Sequence, residues 1–112
     1  MEYEIKFHPE ALKEFCNLDG SIKKLVKKQL DKLKTSPFLG EELGNKNGYD
    51  LTGYRKMYAC KKQIRIVYSV AENILLVSII AIGKREDMEV YAVADQRIDM
   101  HLKSDTKNKR TG

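Results

Sequence analysis

Apolar and polar positions along the chain fall into segments of distinct period. Tyr3, Ile5 and Phe7 alternate with Glu4 and Lys6, a period of two that predicts a short strand. Pro9 follows at a favourable first helical position. Ala11, Leu12, Phe15 and Cys16 continue at helical spacing to about Leu18. Asp19-Gly20 breaks the chain. Ser21 then stands as the N-cap of a second helix, in which Ile22, Leu25, Val26, Leu30 and Leu33 recur at three- and four-residue steps. Lys23, Lys24, Lys27, Lys28, Lys32 and Lys34 fill the intervening positions, so this helix is amphipathic with a basic outer face. Such a face is ordinarily just solvated. Ser36-Pro37 stops it.

Residues 36–53 read as a polar loop carrying Gly40, Gly44, Gly48 and Gly53. Strands follow. Tyr54 to Cys60 is the first, Lys61-Lys62 a tight connection, and Gln63 to Val70 the second, with Ile64, Ile66 and Tyr68 on one face and Arg65, Val67 and Ser69 on the other. After the turn Ala71-Glu72-Asn73, the run from Ile74 to Ile82 is too rich in β-branched residues for a helix and reads as a buried strand. Short turns between successive strands imply an antiparallel meander. Beyond Asp87 the helical period returns in Met88, Tyr91, Ala94, Ile98 and Leu102. The predicted class is α+β: two N-terminal helices on a small, mainly antiparallel four-stranded sheet covered on one face, with a C-terminal helix. Residues 1–102 form the domain. Residues 103–112 hold no apolar side chain and are expected to be a disordered basic tail.

Composition narrows the function classes. At 112 residues there is room for one small domain. A net charge of +5 favours an anionic partner, nucleic acid or an acidic protein. Cys16 and Cys60 lie far apart without CxxC spacing, and His8 and His101 sit near opposite ends. This distribution argues against a disulfide framework or a metal centre and fits a reducing cytosol. No cofactor is expected. The N-terminus does not read as a signal peptide. The longest apolar run is about half of what a membrane span needs, so the reading is a cytoplasmic protein with no membrane partner.

The densest chemistry lies in Gly83-Lys84-Arg85-Glu86-Asp87-Met88-Glu89-Val90-Tyr91, at the mouth of the apolar strand. A cation and a phenol held at a rigid strand end are the parts needed to grip a nucleotide's phosphate and base. The same residues also suit an ordinary turn, with Asp87 as a helix N-cap.

The order of elements, Ser36-Pro37-Phe38-Leu39-Gly40, Tyr54-Arg55, Ile64-Arg65-Ile66-Val67-Tyr68, Gly83-Lys84-Arg85-Glu86 before Glu89-Val90-Tyr91, and Arg97-Ile98 together resemble the RelE/ParE toxin superfamily over about residues 1–100. The resemblance implies the toxin of a toxin–antitoxin pair. In the RelE branch this is a ribosome-dependent, metal-independent endoribonuclease that cleaves messenger RNA by 2′-hydroxyl attack on the neighbouring phosphate. The partners implied are a cognate antitoxin, in a hetero-oligomer, and the ribosome with its message. A ParE-like inhibitor of DNA gyrase on the same fold, and a catalytically degenerate toxin, are the alternatives. By the same resemblance Arg65 contacts the phosphate, Arg85 stabilises the transition state and Tyr91 stacks on or orients the nucleotide. Arg55, Lys84, Lys61 and Lys62 are the RNA-binding cations. Met57 stands where the best-known members carry a lysine that moves protons, and methionine is neither acid nor base. Lys56 is the catalytic candidate in its place if the strand register slips by one residue. Asp87, Glu86 and His101 are further substitutes. Arg65 also reads as cover for an open sheet face, Arg55 as a plain surface residue, and Tyr91 as a core ring with its hydroxyl at the edge.

Overall fold

In a computed structural model that describes residues 2–46, 48–84 and 91–98, five strands form one sheet. They are β1 (Glu4–Phe7), β2 (Glu41–Lys46), β3 (Tyr49–Ala59), β4 (Ile64–Ala71) and β5 (Leu76–Lys84), in the spatial order β1-β5-β4-β3-β2. The pairs β2–β3, β3–β4 and β4–β5 are antiparallel, and β1 lies parallel to β5. Helices α1 (Pro9–Cys16) and α2 (Gly20–Leu33) connect β1 to the rest, and a third helix, α3, covers residues 91–98. The α+β class and the helix–helix–meander order are as the periodicity predicts. The positions of Arg85 to Val90 and of residues 99–112, including the expected tail, lie outside the described residues.

Both N-terminal helices arise from local chemistry. Pro9 opens α1, and His8 caps it through Nδ1, which accepts the Glu10 amide at 3.1 Å. The cap of α2 is Asp19, not Ser21, and its side chain makes no capping bond. The helix begins instead on the Asp19 carbonyl, which accepts the Lys23 amide at 2.7 Å. Val26, Leu30 and Leu33 turn inward from α2 onto Met57, Ile66, Tyr68, Val77 and Ile79 of the sheet. The intervening lysines therefore face outward, as the pattern requires.

Two expectations are corrected. The sheet has five strands rather than four, because residues 41–53 are not a loop but β2 and the start of β3. The signal was the Asn47-Gly48 dipeptide, the strongest short hairpin cue, flanked by Leu43 and Leu51. Gly48 adopts φ 83°, in the left-handed region. Leu43 and Leu51 are both buried, and polar neighbours and glycines hide their alternation. The sheet is also covered on both faces. Its second face carries a core of its own, in which Leu43, Leu51, Val67 and Ala81 pack with Tyr91 and Ala94 of α3.

The edge of β5 explains how α3 is held. β1 ends at Phe7, opposite Ile79, so the next groups of β5 lack a strand neighbour on that side. Ile80 is the extra residue of a bulge, since Val67 pairs with Ala81 and Tyr68 with Ile79. Side chains replace the missing ladder. The Ile82 amide donates to Glu14 Oε1 of α1 at 3.1 Å, and the Ile80 carbonyl accepts from Arg97 of α3 at 2.7 Å. Arg97 and Glu14 then join in a bidentate pair, both bonds 2.9 Å. Glu14→Ala should therefore leave a mostly buried guanidinium and a strand amide without partners. We expect a loss of about 1–3 kcal/mol and faster hydrogen exchange at the Ile82 amide, read by thermal melting and by NMR. An unchanged Ile82 protection factor would show that Glu14 is only a surface charge.

Candidate active site

The second face of the sheet gathers the chemistry. In the β3–β4 ladder Tyr58 pairs with Arg65, Lys56 with Val67 and Met57 with Ile66. Side chains alternate along a strand, so Lys56, Tyr58 and Arg65 share the face beneath α3. Met57 points the other way, into the core under the helices. The structure thus places Lys56, and not residue 57, beside Arg65. Met57 is a core residue, and a lysine there would carry its ammonium into apolar packing.

Arg65 is only 6% exposed. Its guanidinium carbon lies 4.6 Å from the centre of the Tyr91 ring and 5.7 Å from that of Tyr58, both within cation–π range. Nε and Nη1 find no hydrogen-bond acceptor among the described residues, nor does the buried Tyr91 hydroxyl find a partner. A buried guanidinium with open donors is costly and rare. It is the kind of group kept where a ligand's oxygens complete it.

Beside it, Lys56 Nζ donates to Tyr58 Oη at 3.1 Å and lies 3.7 Å from Glu41 Oε2. That hydrogen bond from Lys56 holds the Tyr58 phenol below its ordinary pKa. Burial works against the shift, and Arg65 adds to it. Burial pulls the Lys56 ammonium down, but the Tyr58 bond and the charges of Tyr91, Tyr58 and Glu41 outweigh it and leave the group raised. An open groove of about 320 Å³ borders this pair, lined by Lys56 and Tyr58 with Gln29, Leu39 and Glu41. Gln29 Nε2 donates to the Tyr58 carbonyl at 2.6 Å and fixes the strand at that point.

The remaining sequence candidates stand apart. Arg55 lies on the opposite face from Lys56, where it donates to the carbonyl of Gly40 at 2.7 Å and to Glu42 at 3.2 Å, with its guanidinium 5.0 Å from the Phe38 ring. It ties the 38–42 segment to β3. Lys61 and Lys62 are exposed in the β3–β4 turn, where Cys60, Lys61 and Lys62 all take left-handed φ values of 53–71°. Lys84 is exposed and pairs with Ile64 at the end of β5. Arg85, Glu86, Asp87 and His101 lie outside the described residues. Tyr58 was missed from sequence. Its signal was its place two residues after Lys56 on one strand, which fixes a common face once the register is known.

The described residues hold no cluster of three or more His, Cys, Asp or Glu side chains suited to a metal ion. What the site offers is a lysine and a phenol at an open groove, backed by a buried cation and a second phenol on the same face, which suits binding an anion and moving a proton beside it.

No family model matches the chain. Curated relatives do. It is 35% identical over 101 residues, 88% of this chain and 99% of the relative, to the mRNA interferase toxin RelE of Escherichia coli K12. It is 33% identical, with the same coverage, to another Escherichia coli protein described as a RelE-like toxin. Among solved structures, a substituted Escherichia coli RelE toxin in the free state superposes with a TM-score of 0.68 at 32% identity, covering 88% of this chain and 99% of that one. The same variant toxin in complex with a RelB antitoxin peptide superposes with a TM-score of 0.64 at 29% identity, covering 84% and 95%.

Proposed function

The chain belongs to the RelE toxin family, and from that premise we propose that it works as an endoribonuclease on messenger RNA held in the ribosome, restrained by a cognate antitoxin. The observation that carries the site assignment is the Arg65 guanidinium, buried between two tyrosine rings with Nε and Nη1 lacking an acceptor among the described residues, beside a lysine–tyrosine pair. A bridging phosphate presents the anionic oxygens these donors lack.

Cleavage by 2′-hydroxyl attack needs three things: loss of the hydroxyl proton, stabilisation of the pentacoordinate phosphorane, and protonation of the departing 5′-oxygen. Arg65 supplies preorganised positive charge for the phosphorane, and Arg85, which follows Gly83-Lys84 in the sequence, is assigned to the same charge. Tyr91 carries Arg65 on its ring and so sets where the guanidinium points. Lys61, Lys62 and Lys84, exposed on neighbouring turns and strand ends, are assigned to the RNA backbone, where each contact adds affinity that falls with salt. Arg55 serves the fold more than the RNA. The reaction is assigned as metal-independent. Residues 1–102 are taken as the toxin domain. No helix among the described residues is long and apolar enough to cross a membrane, and a cytoplasmic setting follows from the proposed target. The net charge of +5 suits an acidic or amphipathic antitoxin segment, chiefly through association rate.

Brief induction of the toxin without its antitoxin, followed by primer extension on translated messages, tests the reading. New 5′ ends should map within coding sequence and vanish in untranslated copies of the same RNA. Intact messages with altered DNA supercoiling would assign the chain to gyrase inhibition instead.

A further inference from the structure

We propose that Tyr58 is a further catalytic residue, the acid that protonates the departing 5′-oxygen, with Lys56 holding the phenolate that results. The proposal rests on the ribonuclease reading above. Of the described side chains at the site, few can give up a proton. Arginine does not deprotonate in proteins, which excludes Arg65. The Lys56 ammonium is held more tightly than usual by its surroundings. The Tyr91 hydroxyl is buried, in a residue only 1% exposed. Tyr58 differs on each count. It is half-buried and lines the open groove. It sits directly opposite Arg65 in the ladder. Its oxygen already accepts a hydrogen bond from Lys56 at 3.1 Å, so its own proton is directed elsewhere.

The same contact that occupies one lone pair makes the phenol a stronger acid. Its conjugate base would lie between the Lys56 ammonium, already hydrogen-bonded to the phenol oxygen, and the Arg65 guanidinium over its ring. In the step, the 2′-oxygen forms its bond to phosphorus and releases its proton to water. The P–O5′ bond breaks with its electron pair on the 5′-oxygen, which takes the Tyr58 proton as it leaves. Water returns a proton to the phenolate, and the site is reset with no net change.

The test is single-turnover cleavage of a synthetic message on the ribosome, made with oxygen or with sulfur as the bridging 5′ atom at the cut. A thiolate departs without an acid. Tyr58→Phe should slow the oxygen substrate by about 10²- to 10⁴-fold and cleave the sulfur substrate at nearly the wild-type rate. Wild-type cleavage of the oxygen substrate by Tyr58→Phe would overturn the proposal. So would an equal loss on both substrates, which marks a positioning role. Failure of the wild-type protein on both would instead remove the ribonuclease reading beneath it. If Tyr58→Phe does not fold, fluorotyrosine at position 58 replaces it. A more acidic phenol should move the alkaline limb of the rate–pH profile to lower pH, and an unmoved limb would overturn the assignment.

Discussion

Arg65→Met is expected to lower cleavage by on the order of 100- to 1000-fold while raising the melting temperature. The two effects have one cause. Arg65 is a nearly buried cation whose Nε and Nη1 have no acceptor among the described residues. Desolvating such a charge costs several kcal/mol. The Tyr58 and Tyr91 rings return about 0.5–2 kcal/mol each, less than the cost. Methionine has similar reach, fills the same space, and makes favourable sulfur–aromatic contacts. A gain of roughly 1 kcal/mol corresponds to a rise of about 4–8 °C for a domain of this size. A functional site commonly carries such a trade of stability for chemistry. Arg65→Lys should fall between the two, keeping the charge but not the flat face that stacks on Tyr91. Thermal melting and single-turnover cleavage on the same preparations decide the matter. A destabilised Arg65→Met that still cuts RNA would make the guanidinium a structural group.

Gly40→Ala should be the most damaging small substitution to the fold. A Cβ at this position would sit 2.5 Å from Tyr68 Oη, 2.6 Å from the Lys56 carbonyl oxygen and 2.8 Å from Tyr68 Cε1. None of these atoms can yield cheaply. Tyr68 is fully buried, and its hydroxyl accepts the Gly40 amide at 2.7 Å while donating to the Pro37 carbonyl at 2.9 Å. The third obstacle is the backbone of β3 itself. Overpacking and disturbance of these two buried hydrogen bonds together should cost about 3 kcal/mol or more, a melting temperature lower by more than about 10 °C. Cleavage should fall as well, because the strand pushed aside carries Lys56. Tyr68→Phe removes the nearest atom, so the double substitution should cost less than the sum of the singles. Additive losses, or a melting temperature within about 2 °C of wild type, would mean that the 37–40 segment adapts freely.

The sequence showed much of this plainly. Helical steps of three and four between Pro9 and Leu33, and the β-branched run before Gly83, located α1, α2 and β5 to within a few residues. Short connections gave the antiparallel meander, and the basic positions of α2 fell outward. It was weaker where burial depends on few residues. Leu43 and Leu51, with Tyr49 packed beside them, anchor β2 and the start of β3, and the glycines and charges around them read as loop until the second core under α3 gives those leucines somewhere to go. The bulge at Ile80 left no mark in the pattern, yet it sets both Ile79 and Ile82 toward the helices.

The candidate site divides along the same line. Arg65 and Tyr91 were recognisable because each sits inside a short motif, and alternation alone guarantees that Lys56 and Met57 point to opposite faces. Which of them shares a face with Arg65 is not a local property. It depends on the pairing that sets Tyr58 against Arg65, and thus on the turn of Cys60, Lys61 and Lys62 in left-handed conformation. Tyr58 became a candidate for the same reason. Side-chain identity and period are written along the chain, whereas register is fixed by the packing of two strands and two cores at once, and a shift of one residue exchanges every side chain between the faces.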